Sequence, residues 1–216
     1  MLNNNEFEDP ASVPNMYPSL PQILEPDWEY SMRRSMQEII PGLYLGPYNA
    51  ASKTNLKELL DIGVTHIVCV RGQIEAHFIR PNFPDKFKYL VLNITDTTGE
   101  NIIQHFGVVK TFVDEALNNK GRVLVHGNAG ISRCTTLVVA YLMETYGLDH
   151  TQAFGLVRKR RFCVSPSDRF MSQLKEFEPI YRARKSREIS NSNSNNSKKR
   201  SLQDMDLECE FVDLFI

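Results

Sequence analysis

The chain has 216 residues, of which 42% are hydrophobic and 24% charged, with a formal net charge of -1. This is the composition of one globular domain with appendages, and the balanced charge gives no sign of bulk nucleic-acid binding. No basic start followed by an apolar stretch suggests a secretory signal, and the longest apolar run, Leu137 to Met143, is too short to cross a bilayer, so a soluble intracellular protein without membrane contact is expected.

Residues 1–36 carry Pro10, Pro14, Pro18, Pro21 and Pro26 with little apolar periodicity, and read as an irregular N-terminal arm on which Trp28 and Tyr30 are candidates to dock. Residues 37–184 read as the globular part. Within it, Val64 to Val70, Tyr89 to Ile94 and Val123 to His126 have the short β-branched runs of buried strands. Lys53 to Leu60 and Ile102 to Asn118 have helical patterns. Cys134 to Tyr146 is apolar on nearly every face and stops at Gly147, which predicts a central helix with a glycine terminator. Asp149 to Arg160 follows as another helix. Ser165-Pro166 reads as the cap and first position of a last helix reaching about Tyr181. Strands alternating with helices predict an α/β fold with a central mixed sheet flanked by helices. From residue 185 to 216 the Ser/Asn run predicts a disordered tail. Its basic part, Arg182 to Arg200, is either a solvated tail or a nuclear-import patch; its acidic end, Asp204 to Asp213, is a partner segment or plain disorder.

Cys69, Cys134, Cys163 and Cys209 are scattered without paired spacing, as in a reduced chain, and no Cys/His cluster has metal-ligand spacing. Neither a metal nor a cofactor is expected. The informative segment is Val125-His126-Gly127-Asn128-Ala129-Gly130-Ile131-Ser132-Arg133, which joins a predicted strand to a predicted helix. Backbone N–H groups of such a turn can converge on an anion, the helix N-terminus adds its positive end, and the Arg133 fork suits two phosphate oxygens.

This segment resembles the signature of the cysteine-dependent, dual-specificity protein phosphatases: His-Cys, five residues, then Arg. His126, Gly130, Ser132 and Arg133 match, while Gly127 occupies the place of the nucleophilic cysteine. The order of elements from Ile39 to Tyr181, the front segment Ile40 to Gly46 and the ending Arg158 to Pro166 extend the likeness, which is to catalytically inactive members of that family. The resemblance implies a single dual-specificity-phosphatase-like domain, a phosphate-binding loop of His126, Gly127, Asn128, Ala129, Gly130, Ile131, Ser132 and Arg133, and Asp96 in the position of the general acid. Without the thiolate no phosphocysteine can form, so the expected product is a pseudophosphatase, not an enzyme.

In that setting Asp96 is either a turn residue or a hydrogen-bonding group for a ligand. Ser132 is expected to hold the loop, His126 to hydrogen-bond its backbone, and Cys134 to pack beneath it. Arg158 to Arg161 form either a basic docking patch or a brace for the loop. The resemblance further implies phosphorylated partner proteins, among them MAP kinases and an F-box subunit of a ubiquitin ligase, action as a monomer, and residence in nucleus and cytoplasm. A scaffold with a vestigial pocket and a hydrolase with another nucleophile are the competing readings.

Overall fold

A hairpin opens the sheet: β1 (Gln37–Ile40) and β2 (Leu43–Pro47) run antiparallel. They turn at Pro41-Gly42, where Gly42 takes φ +84° and its N–H is held by Glu38 Oε1 at 2.8 Å. The computed structural model describes residues 17–22 and 25–209, with residues 191–209 described by backbone alone. After the hairpin come α1 (Leu56–Ile62), β3 (Val64–Arg71), β4 (Lys88–Asn93), α2 (Phe106–Asn118), β5 (Arg122–Gly127), α3 (Arg133–Tyr146), α4 (His150–Arg160) and α5 (Asp168–Cys209). The sheet order is β1-β2-β5-β3-β4, parallel everywhere except at the β1/β2 edge. The mixed α/β sheet expected from the alternating pattern is thus present, and the first two strands, too short to read as strands, complete it.

The three buried strands lie where the apolar runs placed them. Val123, Leu124 and Val125 of β5 are fully buried between β2 and β3. Every residue of α3 from Cys134 to Met143 is buried, which is why its sequence shows no polar face. Gly147 ends it at φ +70°. Asp149 starts α4 through a capping box, accepting from Gln152 N at 2.8 Å.

Three expectations change. Lys53 to Asn55 and Ile103 to His105 form 3-10 turns ahead of α1 and α2 rather than regular helix. Ser165-Pro166 does not start α5: the Ser165 N–H goes instead to Ile131 O at 2.9 Å, and Ser167 O receives the first helical bond, from Met171. Ser167, not Ser165, therefore supplies the carbonyl at the head of this helix. The last helix does not stop near Tyr181 but keeps helical backbone to Cys209, with Arg182–Glu178 and Lys185–Glu188 ion pairs one turn apart supporting it and the Ser186 and Ser190 hydroxyls turned back onto carbonyls four residues earlier. None of residues 182–190 is buried, in line with a composition that offers little apolar surface. The chain divides within α5 into two compact units, Met1–Phe177 and Glu178–Ile216. Residues 1–16, the acidic end beyond Cys209, and the side chains of the basic stretch after Ser190 lie outside the described residues.

Candidate functional site: an anion cradle

All four parallel strands end on one side of the sheet. Tyr48 follows β2, Glu75 follows β3, Asp96 follows β4, and the loop from Asn128 to Ser132 follows β5 and leads into α3. Ligands of open parallel sheets bind at this edge, because the connecting loops and helix N-termini converge there.

The loop is held by its carbonyls. Asn128 O accepts from Tyr48 N (3.1 Å), Ala129 O and Gly130 O from Arg161 (3.1 and 2.9 Å), Ile131 O from Ser165 N (2.9 Å) and Ser132 O from Thr136 N (2.9 Å). No backbone N–H from Asn128 to Ser132 donates to a protein acceptor among the described residues. Ser132 gives α3 no side-chain cap, so the first amides of that helix are also free of one. Gly130 sits at φ +69°, and a Cβ there would lie 2.5 Å from the Gly46 backbone, so only glycine lets the loop pack against β2. The result is a pocket of about 180 Å³ lined by the loop, by Asp96 and by Cys134.

Arg133 stands at its side. Its Nη1 donates to Glu75 Oε2 (2.6 Å) and to Ile94 O (3.0 Å), and its Nη2 to Glu75 Oε1 (2.9 Å). These bonds leave Nε–H and one Nη2–H, which share one edge of the guanidinium and suit two oxygens of an anion. The pair is largely buried. The Arg133 hydrogen bonds hold the Glu75 carboxyl below its usual range, with help from the Gly72 amide and Asn128 against a desolvation cost, while Glu75 pushes Arg133 up. Glu75 was not foreseen in the sequence, since nothing local marks a residue that acts 58 positions away.

Asp96 lies at the mouth. Ser132 Oγ donates to its Oδ2 at 2.8 Å, Ser167 Oγ to its Oδ1 at 3.0 Å, and Arg169 Nη2 to its carbonyl at 3.1 Å. Ser132 therefore ties the loop to Asp96. His126 differs from expectation. It is fully buried beside Tyr48, and neither ring nitrogen reaches a partner at hydrogen-bonding geometry. Burial pushes its pKa down to about 4, opposed by the Gly127 backbone, so the ring is a neutral filler behind the loop. Cys134 packs under the loop, 1% exposed, and burial pushes its thiol up to about 11. A thiol so protonated is a poor nucleophile. Gly127 offers the pocket only backbone.

The basic run divides by depth. Lys159 pairs with Glu25 at 2.8 Å and Arg158 stacks on Phe162, both near solvent, while Arg160 Nε donates to Glu38 O at 2.7 Å. Arg161 is fully buried. Besides Ala129 O and Gly130 O it reaches Arg33 O (3.0 Å), Ser35 O (2.9 Å) and Gln37 Oε1. Of the two readings left open, bracing the loop is the one Arg161 performs. All its acceptors are uncharged oxygens, and desolvation lowers its pKa.

The family model for the dual specificity phosphatase catalytic domain matches residues 43–180, from the start of β2 through the cradle and into α5. The chain belongs to the dual-specificity phosphatase family. Among relatives of this family, the human serine/threonine/tyrosine-interacting protein is 54% identical over 170 residues, covering 78% of this chain and 76% of the relative. The dual specificity protein phosphatase 1B of Arabidopsis thaliana is 36% identical over 145 residues, 67% of this chain and 83% of that protein. Among solved structures of dual-specificity phosphatase relatives, the human tyrosine phosphatase-like serine/threonine/tyrosine-interacting protein superposes with a TM-score of 0.67 at 54% identity, over 68% of this chain and 98% of that one.

Proposed function

We propose that this dual-specificity phosphatase relative is a pseudophosphatase, which holds phosphorylated Ser, Thr or Tyr side chains without hydrolysing them and so acts as an adaptor, anchor or competitor in phosphorylation signalling. The observation that carries the reading is the loop itself: five successive carbonyls are taken up by protein donors while none of their amides has a protein acceptor among the described residues, and the same loop lines a pocket of phosphate size beside Arg133. Gly127, at the position matching the family's nucleophilic cysteine, has no side chain to attack phosphorus. Losing a covalent nucleophile costs on the order of 10⁶ in rate in a comparable serine enzyme. Binding need not fall with it. A thiolate 4 Å from a phosphate dianion would repel it by up to about 4 kcal/mol at an effective dielectric near 20, and glycine removes that term.

The name of the human relative describes an interacting protein, which supports the adaptor reading. MAP kinases and an F-box subunit as partners, a monomeric state, and action in nucleus and cytoplasm belong to the same proposal. Calorimetric titration tests it. The wild type should bind a phosphopeptide well above its unphosphorylated form and leave an aryl phosphate intact, and Arg133→Met should lose the preference. Equal binding of the two peptides would sink the reading.

A further inference from the structure

The cradle has a neighbour. A cleft of about 640 Å³ opens beside it, lined by Tyr30, Arg33, Arg34, Pro47, Asn49 and Ala129. Ala129 belongs to both spaces: it lines the cradle and the cleft alike. Arg33 and Arg34 sit on the short 3-10 turn Tyr30–Arg34, and both are exposed. Among the described residues neither guanidinium has a partner. Only their carbonyls are used, Arg33 O by Arg161 and Arg34 O by Asn49 Nδ2 at 3.4 Å. The backbone of this turn is thus clamped while its two cations stand free. Tyr30 adds a ring that is 76% exposed.

One buried side chain joins cleft and cradle. Arg161 donates to Ala129 O and Gly130 O on the loop, to Arg33 O on the cleft wall and to Ser35 O just past it. The backbone that carries the two guanidiniums is therefore tied, through Arg161, to the backbone of the loop. Free guanidiniums pair best with carboxylates or phosphates. We infer that this cleft is a subsite for a second anionic group, a carboxylate or a second phosphate, on the same protein segment whose first phosphate enters the cradle. The inference rests on the phosphoprotein-binding function proposed above and adds the charge pattern of the ligand.

A protein segment fits better than a nucleic acid. At the other end of the loop, beside Ser132, stands the Asp96 carboxylate, which repels a strand carrying a charge on every unit. A peptide can put its extra charge on the Arg33/Arg34 side alone. The cradle's small volume takes one phosphate, and the larger cleft has room for flanking side chains.

The test uses the full-length chain and one phosphopeptide in three forms: neutral flanks, flanking aspartates, and a second phosphoserine. The wild type should bind both anionic forms about tenfold tighter than the neutral one at low salt, as two exposed ion pairs allow, with the gap closing at high salt. The double variant Arg33→Gln, Arg34→Gln should lose that gap, keep the affinity for the neutral form and keep the Tm. Equal wild-type affinity for all three, a variant that retains the gap, or a single-stranded oligonucleotide competing as well as the doubly phosphorylated peptide would each overturn the assignment. If the aspartate peptide binds through Arg33 and Arg34 equally well with and without its phosphate, the cleft stands as an acidic subsite and the cradle reading alone falls.

Discussion

A Cβ built on Gly127 would stand 3.3 Å from Cys134 Sγ and 3.5 Å from Val70 O. A side chain at this position therefore fits once Cys134 yields a few tenths of an ångström, and backbone strain does not forbid it. The remaining pieces are in place: Arg133 with one free edge, Ser132 against Asp96, and uncommitted loop amides. Gly127→Cys combined with Cys134→Ala should hydrolyse an aryl phosphate that the wild type leaves untouched, read by release of the phenol. The single Gly127→Cys variant should be weaker without reductant, because two sulfurs would then lie side by side. A folded double variant without turnover would show that Asp96, pinned by Ser167 and Arg169, no longer protonates a leaving group. By contrast, at Gly130 both the positive φ and the Gly46 backbone exclude any larger residue.

Between elements, the cradle depends on two arginines that act in opposite ways. Arg133 leaves α3 and is aimed by Glu75 from the turn after β3, so its position is set by a charged pair at the pocket wall. Arg161 follows α4 and reaches five neutral oxygens on two separate stretches of chain, 33–37 and 129–130, with no carboxylate among them. Lysine has a single nitrogen and three donors, so Arg161→Lys cannot serve all five acceptors. That change should cost roughly 2–4 kcal/mol in a urea titration, since buried carbonyls are left unmatched. It should also weaken phosphopeptide binding, since Ala129 and Gly130 lose the anchor that turns their carbonyls outward.

For the whole molecule, the buried histidine behind the loop makes stability depend on pH. The unfolded chain protonates His126 near its ordinary pKa of about 6.5, and the folded chain only near 4. The folded state thus prefers the neutral ring: its stability is fully present above about pH 6.5 and falls as the pH drops toward 4, by roughly 3 kcal/mol for this one group. Denaturant midpoints between pH 7 and 4 should follow that slope, and His126→Gln should flatten it. Glu75, whose pKa is held down, adds a loss of the same sign at still lower pH, as its carboxylate takes up a proton. At the other end of the chain, none of residues 182–190 is buried. Arg187→Gln, at an exposed position of this stretch, should therefore leave the urea midpoint at pH 7 unchanged.

The sequence by itself determined what is local. Runs such as Val123 to Val125 read as buried strands, the almost wholly apolar Cys134 to Met143 as a core helix, and the loop from His126 to Arg133 already carried its glycine, its arginine and its missing side chain. The structure decided whatever depends on a partner far along the chain. Ser165 looked like a helix cap, but the first helical bond goes to Ser167 while Ser165 ties the chain to Ile131, and His126 was expected to bond the loop but is only buried behind it. Arg161 was one of four basic residues in a row until folding sent it alone into the interior, and Glu75 had no signal at all. Periodicity and turn chemistry act over a few residues, whereas a hydrogen bond between positions 75 and 133 exists only after the strands have aligned their ends on one edge of the sheet.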